Sequence, residues 1–377
     1  MDVSTLACDP LAMIERLKPW IECESPTFDA TSVNRMMDLA TADLQALGAE
    51  VERIPGKAGF GDCVLAHLPH GRRGQVPGVL VMGHLDTVHP VGTLAKLPFR
   101  IEGPRCYGPG ILDMKGGCRI TLEAIAALQA QGVETPLPVS ILFTSDEEVG
   151  SPSTRPLIEA TAQQFRFVLV PEPAMKDGGV TSGRYAIARF NLRAHGRPSH
   201  AGAALKEGRS AIRLMTDHVA VIEDMTTDDC TFSVGVIRGG QWVNCVSTSC
   251  EAEVLSMAKR QADLDTGISR MLALNGNHGE ARLEVELGVV RPVWEPDAGT
   301  MALYEAAREI AESLGVALSH GSVGGGSDGN FTGAIGIPTL DGLGLCGAGY
   351  HTLEEHIEIP SLALRTRLMA GLLHRLS

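Results

Sequence analysis

The sequence predicts an α/β protein: a mixed, mostly parallel sheet with helices on both faces, and a small α+β domain inserted in the chain. Short, largely apolar runs at residues 79–82 and 139–144 are typical of strands buried on both faces. Between such runs, apolar residues recur at the spacing of amphipathic helices. This alternation favours a parallel sheet, because a helix returns the chain to the edge where the next parallel strand begins.

The first part of the chain supplies most of these elements. In the first predicted helix, Leu11, Ile14, Leu17 and Ile21 share one face. Helices are predicted at residues 10–22, 31–47 and 117–131. Strands are predicted at residues 50–54, 63–68, 79–82, 139–144 and 167–170.

The pattern changes after residue 181. Residues 185–193 alternate apolar and polar side chains, as an antiparallel strand with one wet face does. Further strands are predicted at residues 231–237, 250–257 and 281–290, with helices at 210–225 and 263–274. The first pattern then resumes with a helix at 301–314 and a strand at 337–341. We therefore predict one discontinuous domain, residues 1–181 and 293–377, with residues 182–292 inserted as a second domain.

Charge, apolar run length and cysteine count argue against some classes of partner and compartment. The formal net charge of −13 argues against a nucleic-acid or anionic membrane surface as the main partner. No apolar run approaches the roughly 18–20 residues that span a bilayer. The nine cysteines are an odd number without a Cys-x-x-Cys pair, which favours reduced thiols over a disulfide framework. With no signal-peptide pattern at the start of the sequence, we expect a cytoplasmic protein.

The first candidate site follows the strand at residues 79–82. His84 and Asp86 are two residues apart, so in extended chain their side chains lie on the same face. A metal-bound histidine is usually oriented by an acceptor on its other ring nitrogen, so Asp86 would orient His84 or bind the metal itself. Taken alone, the pair is more typical of a polar strand end with solvated side chains.

Similar candidates recur where other strands end. They lie just after a predicted strand or in a glycine-rich loop: Asp113, Glu147, Glu148, Glu172 and His351. The carboxyl edge of an open α/β sheet is where ligand sites form. Imidazole and carboxylate donors suit zinc, manganese or cobalt rather than iron–sulfur or thiolate chemistry. A carboxylate beyond those needed as ligands would serve as a general base, and Glu147–Glu148 offers both roles from adjacent residues.

The segments that carry these residues resemble the successive motifs of the M20 metallopeptidases. They are HLDTV at residues 84–88, GILDMKG at 110–116, SDEEVG at 145–150 and GYH at 349–351. The resemblance covers nearly the whole chain in order, and is greatest to the glutamate carboxypeptidase (carboxypeptidase G2-like) branch. It implies a zinc-exopeptidase-like catalytic domain and an inserted lid and dimerisation domain.

Carried over position by position, the resemblance implies two divalent metal ions bridged by Asp113. His84 and Glu172 would bind one ion, and Glu148 and His351 the other. Zn²⁺ is the expected metal, with Mn²⁺ and Co²⁺ as alternatives.

The resemblance also assigns three catalytic roles. Asp86 would orient His84, and Glu147 would be the general base toward metal-activated water. His200, in the segment GRPSHAG at residues 196–202, would act in the active site of the partner in a homodimer formed through residues 182–292. There it would stabilise the tetrahedral oxyanion, as a preorganised donor does.

The substrate-binding part of the pattern is altered. Asn244, Arg291 and Gly326 resemble substrate contacts of the family. A gap-free count from Asn244 places Met257 where family members carry an arginine that binds the substrate α-carboxylate. A thioether cannot replace a bidentate guanidinium. An insertion would be needed to bring Lys259 or Arg260 to that place. Arg184 and Arg291 are the expected substitutes, and a substrate without a free α-carboxylate is the alternative.

Three functions follow from this pattern. The first is dinuclear metal-dependent hydrolysis of the amide bond of a small N-acyl amino acid or peptide-like substrate. The second is an amidohydrolase or deaminase of a non-peptide small molecule, aromatic ones included, which the methionine at position 257 keeps open. The third, a non-catalytic binding protein, is disfavoured because it predicts loss of the base or of ligands, and all are present.

Overall fold

The computed structural model describes residues 1–69 and 76–377. The chain forms two compact units. The first comprises Met1–Gly183, Glu295–Val323 and Ser327–Ser377, and the second comprises Arg184–Trp294 and Gly324–Gly326. The glycine-rich turn Gly324–Gly326 thus groups with the inserted segment, although it lies far from that segment along the chain.

The helices and strands are numbered here in chain order. The helices are α1 (Pro10–Glu22), α2 (Ala30–Ala46), α3 (Gly116–Ala130), α4 (Arg155–Ala162), α5 (Ala211–Glu223), α6 (Gln261–Leu272), α7 (Ala298–Ser313), α8 (Gly329–Ala334) and α9 (Ile359–Arg375). The strands are β1 (Glu50–Ile54), β2 (Cys63–His67), β3 (Val79–His84), β4 (Arg100–Glu102), β5 (Arg105–Tyr107), β6 (Val139–Thr144), β7 (Phe167–Leu169), β8 (Val180–Arg184), β9 (Ala186–His195), β10 (Cys230–Gly239), β11 (Ser249–Ala258), β12 (Gly276–His278), β13 (Ala281–Arg291), β14 (His320–Val323), β15 (Thr339–Leu340), β16 (Gly347–Ala348) and β17 (His356–Glu358).

The first unit is built on a six-stranded sheet in the order β1-β2-β6-β3-β7-β15. Strands β6, β3, β7 and β15 are parallel, while β1 and β2 form an antiparallel edge. Every residue of β3 and β6 is buried, as expected for strands covered on both faces. Apolar side chains of α1, α2, α3, α7 and α9 join the same core. The predicted α/β class with a mixed, mostly parallel sheet is therefore confirmed.

Strand β3 is longer than predicted. It continues through Gly83 and His84, which pair with Phe143 and Thr144 of β6. A Cβ at Gly83 would lie 2.6 Å from the sulfur of Cys118, so the glycine allows close packing and does not end the strand. His84 is consequently held inside the sheet and not in a loop after it.

The first unit also contains a smaller sheet, which was not predicted. Strands β16, β17, β5 and β4 form a four-stranded antiparallel sheet. These strands have two or three residues each, which is too short to show a periodic pattern in the sequence. The sheet matters for the site because the hairpin β16–β17 carries His351.

The second unit contains a five-stranded antiparallel sheet in the order β10-β11-β9-β13-β12. Strand β9 alternates buried and exposed residues, and its buried face packs with residues of α5 and α6 into a separate core. This is the α+β insertion that the alternating pattern predicts. Among residues 1–69 and 76–377, no helix is long and apolar enough to cross a membrane.

Candidate metal and active site

Three of the candidate segments follow neighbouring parallel strands. His84 is the last residue of β3, Glu147 and Glu148 lie in a 3₁₀ turn after β6, and Glu172 lies three residues beyond β7. Because these strands are parallel, their carboxyl ends meet at one edge of the sheet. Asp113 joins them from the turn that precedes α3.

These side chains form two groups with the geometry of metal sites. One group is His84, Asp113 and Glu172, and the other is Asp113, Glu148 and His351; in each, the candidate donor atoms lie within 4.8 Å of one another. Asp113 belongs to both. Its Oδ1 lies 3.2 Å from His84 Nε2, and its Oδ2 lies 3.2 Å from His351 Nε2. The structure thus brings together all the predicted ligands, with one carboxylate shared.

His84 is oriented as a metal-binding histidine is. Its Nδ1 lies 2.9 Å from the carbonyl oxygen of Asp86, to which a neutral ring would donate its proton. The unprotonated Nε2 then faces Asp113, with Glu172 Oε1 at 3.8 Å. A donor contact on one ring nitrogen that leaves the other free to ligate is the usual arrangement around zinc.

The buried carboxylate of Asp86 faces His84 and also accepts hydrogen bonds from the turn after β6. Its Oδ1 accepts the backbone N–H of Glu147 (3.2 Å), and its Oδ2 accepts that of Glu148 (3.3 Å). Thr27 Oγ1 donates to Oδ2 at 2.8 Å. Asp86 therefore also holds the turn that carries the two glutamates. Sequence reasoning missed this function and missed Thr27, because nothing in the sequence shows which carboxylate meets which backbone amide.

The two adjacent glutamates point to different partners. Glu148 Oε2 lies 3.1 Å from His351 Nε2, and its Oε1 accepts the backbone N–H of Val88. Glu147 belongs to neither group, although its Oε2 comes to 3.8 Å from His84 Nε2. Glu148 therefore belongs to a candidate ligand group, while the neighbouring Glu147 lies near His84 outside both groups.

The electrostatics of this site favour bound cations. Burial and the charge of Asp113 raise the pKa of Glu148 to about 8 and that of Glu172 well above its usual range. Hydrogen bonds with Asp113 and Glu148 raise the pKa of His351 to about 10. Buried carboxylates this close stay ionised only when positive charge lies near them. Two imidazoles and three carboxylates, one of them shared, fit two divalent ions of the zinc, manganese or cobalt type.

His200 and Asn244 lie in adjacent segments of the second unit. The carbonyl oxygen of Asn244 accepts the backbone N–H of Ala201, and both side chains are exposed. His200 Nδ1 lies 3.1 Å from each of the backbone nitrogens of Gly202 and Ala203, which donate to it. A neutral His200 ring must then carry its proton on Nε2, which makes this exposed nitrogen a hydrogen-bond donor.

The remaining predicted substrate contacts surround the turn Gly324–Gly326 of the second unit. Arg184 Nη1 donates to the carbonyl oxygen of Gly325 at 2.7 Å. Arg291 is buried, and a Cβ at Gly326 would lie 2.7 Å from its Cδ, so this position requires glycine. Met257 Sδ lies 3.7 Å from the Cβ position of Gly324. Met257, Arg184 and Arg291 thus each lie against a different glycine of the same three-residue turn.

Comparison with known proteins decides the family. The model of the family described as "Peptidase family M20/M25/M40" matches residues 80–375. The chain belongs to this family. The predicted resemblance to M20 metallopeptidases is confirmed.

Two curated relatives and one solved structure illustrate the relationship. Carboxypeptidase G2 of Pseudomonas sp. (strain RS-16) is 32% identical over 376 residues, covering 96% of this chain and 88% of the relative. Acetylornithine deacetylase of Myxococcus xanthus is 28% identical over 303 residues, covering 74% and 76%. The fold matches that of an M20 family metallo-carboxypeptidase from Sulfolobus solfataricus with a TM-score of 0.70 at 17% identity, covering 98% of this chain and 99% of that one.

Membership makes this M20 chain a metal-dependent hydrolase of C–N bonds in peptide-like or acyl amino acid substrates. The groups that share Asp113 are able to bind metal, as such an enzyme requires.

Proposed function

We propose that the protein hydrolyses the amide bond of a small N-acyl amino acid or peptide-like substrate with two divalent metal ions, Zn²⁺ first among them. One observation carries the proposal: Asp113 is common to two ligand groups, and the carboxylate of Glu147 lies 3.8 Å from His84 Nε2 without belonging to either group. This is the arrangement that two-metal hydrolysis requires, in which one carboxylate beyond the ligands is left to move protons.

When bound, the ions would activate water and polarise the amide carbonyl. Glu147 would take the proton of the attacking water at Oε2, the oxygen nearest His84, and return it to the leaving nitrogen. Asp86 keeps Glu147 in place by accepting its backbone N–H at Oδ1.

The inserted unit would complete the site in a homodimer. We assign oxyanion stabilisation to His200 of the partner subunit, since the exposed Nε2–H is a preorganised donor. Asn244 would contact the substrate from the neighbouring segment. The proposed enzyme is cytoplasmic, in keeping with nine free thiols.

The substrate class is an amide of an amino acid. Curated relatives are a carboxypeptidase, a deacetylase and desuccinylases, which favours this class over a non-peptide amide. Met257 stands at the position where the family pattern has an arginine, so the substrate pocket would lack that guanidinium. Arg184 or Arg291 would bind the substrate carboxylate instead. Both arginines are buried beside the turn that includes Gly326.

A substrate panel tests the proposal. The Zn²⁺-, Mn²⁺- and Co²⁺-loaded enzyme would be assayed with N-acyl-glutamates, N-acetyl amino acids, dipeptides and aryl amides that lack an amino acid. We expect turnover on at least one amino-acid amide. Turnover confined to the aryl amides would refute the substrate class and support the non-peptide alternative.

A further inference from the structure

Glu355 is a buried carboxylate that belongs to neither ligand group. It is 1% exposed and lies just before β17, four residues after His351. Its two oxygens accept four hydrogen bonds. Oε1 accepts the backbone N–H groups of Leu112 (2.9 Å) and Asp113 (3.1 Å), and Oε2 accepts that of Gly110 (2.8 Å) and lies 2.7 Å from His89 Nε2.

These donors come from segments that carry different ligands. Asp113 is the shared ligand itself, and Gly110 and Leu112 belong to its turn. His89 lies in the segment that follows His84. Glu355 ends the hairpin loop that carries His351, and its own carbonyl oxygen accepts the backbone N–H of Gly108.

We propose that Glu355 is a positioning residue that holds the shared ligand Asp113 in register with both metal sites. The inference rests on the proposed two-metal function and adds to it a residue that sets the affinity of both ions at once. Three ligand-bearing segments meet on one carboxylate that is not a ligand, so its hydrogen bonds fix the position of Asp113 relative to His84 and His351.

The chemistry of the side chain makes the role testable. An ionised carboxylate offers only acceptors, which suits four donors. In Glu355→Gln, the amide NH₂ would face two of those donors in either orientation of the side chain. The turn of Asp113 would then have to move. Because Asp113 serves both groups, both sites should weaken, whereas loss of a terminal ligand would weaken one.

The experiment is a Zn²⁺ titration of the metal-free protein in competition with a chromophoric chelator, with Zn²⁺ alone as the probe. We expect Glu355→Gln to lower the affinity of both sites by about 10–100-fold, the usual effect of losing a residue that orients ligands. Glu354→Gln is the matched control, since it removes the same charge from the adjacent, exposed residue and should leave both affinities unchanged.

Variants of His89 keep the test decisive if Glu355→Gln does not fold. His89→Leu removes one of the four donors and should weaken both sites, and His89→Gln, which restores an N–H donor, should recover part of the loss. Unchanged affinities in a folded Glu355→Gln protein, or a loss confined to one site, would overturn the inference. If the unmodified protein binds no Zn²⁺, both the proposed function and this inference fail. If the unmodified protein binds two ions and the variants bind two ions with the same affinities, only this inference fails.

Discussion

Replacing Glu147 with glutamine separates proton transfer from metal binding. The amide has nearly the shape of the carboxylate but cannot accept the proton of the attacking water. Loss of a general base costs about 10²–10⁴-fold in rate, or about 3–5 kcal/mol of transition-state stabilisation. We expect the upper half of that range, because the nearby carboxylates of Glu148 and Glu172 stand among the ligands and would not be available as bases. Metal content should stay at two ions, since Glu147 is in neither group and Asp86 holds its backbone N–H.

The assay is kcat on the best amide substrate, together with metal content by atomic emission. Glu148→Gln is the matched comparison, because it makes the same change at the next residue but removes a predicted ligand that lies 3.1 Å from His351 Nε2. That variant should lose one ion or bind it more weakly. The assignment of Glu147 is refuted if Glu147→Gln retains kcat within tenfold, or if it loses metal as Glu148→Gln does.

Three further changes test other parts of the account. Asp86→Asn should weaken zinc binding by about 10–100-fold in a chelator competition, because the Asp86 carboxylate lies 3.4 Å from His84 Nδ1 and accepts the backbone N–H groups of Glu147 and Glu148; full affinity would contradict that role. His200→Ala should lower kcat about 10²–10³-fold with metal content intact, as removal of an oxyanion donor does; normal kcat would exclude His200. Leu17→Ala removes a fully buried side chain of α1 and should lower the free energy of unfolding in urea by about 2–5 kcal/mol. A smaller decrease would show that the surrounding core collapses into the cavity.

Much of the fold could be predicted from the sequence because the parallel strands are largely apolar. Strands β1 and β6 were predicted with the bounds that the structure gives, and so was α1. The small sheet that contains β16 and β17 escaped prediction, since strands of two or three residues have no detectable period. Gly83 misled the prediction of the end of β3, because glycine in a strand also marks close packing.

The residues of the candidate site could be predicted from the sequence, but the contacts that hold them in position could not. His84, Glu148 and Glu172 follow parallel strands, whose carboxyl ends meet for topological reasons. Asp113 and His351 come from turns, and their approach to one another depends on tertiary contacts that only the motif resemblance implied. Glu355 was missed altogether, since a glutamate in a loop is ordinarily solvated and its burial is visible only in the fold.

Metal content and position test the central claim most directly. A crystal of the protein grown with Zn²⁺ should show, by anomalous scattering at the zinc edge, two ions per chain about 3.5–4 Å apart, the usual spacing of two-metal sites. One should lie between His84 and Glu172, the other between Glu148 and His351, with Asp113 bridging them. A single ion, or ions bound away from Asp113, would contradict the account.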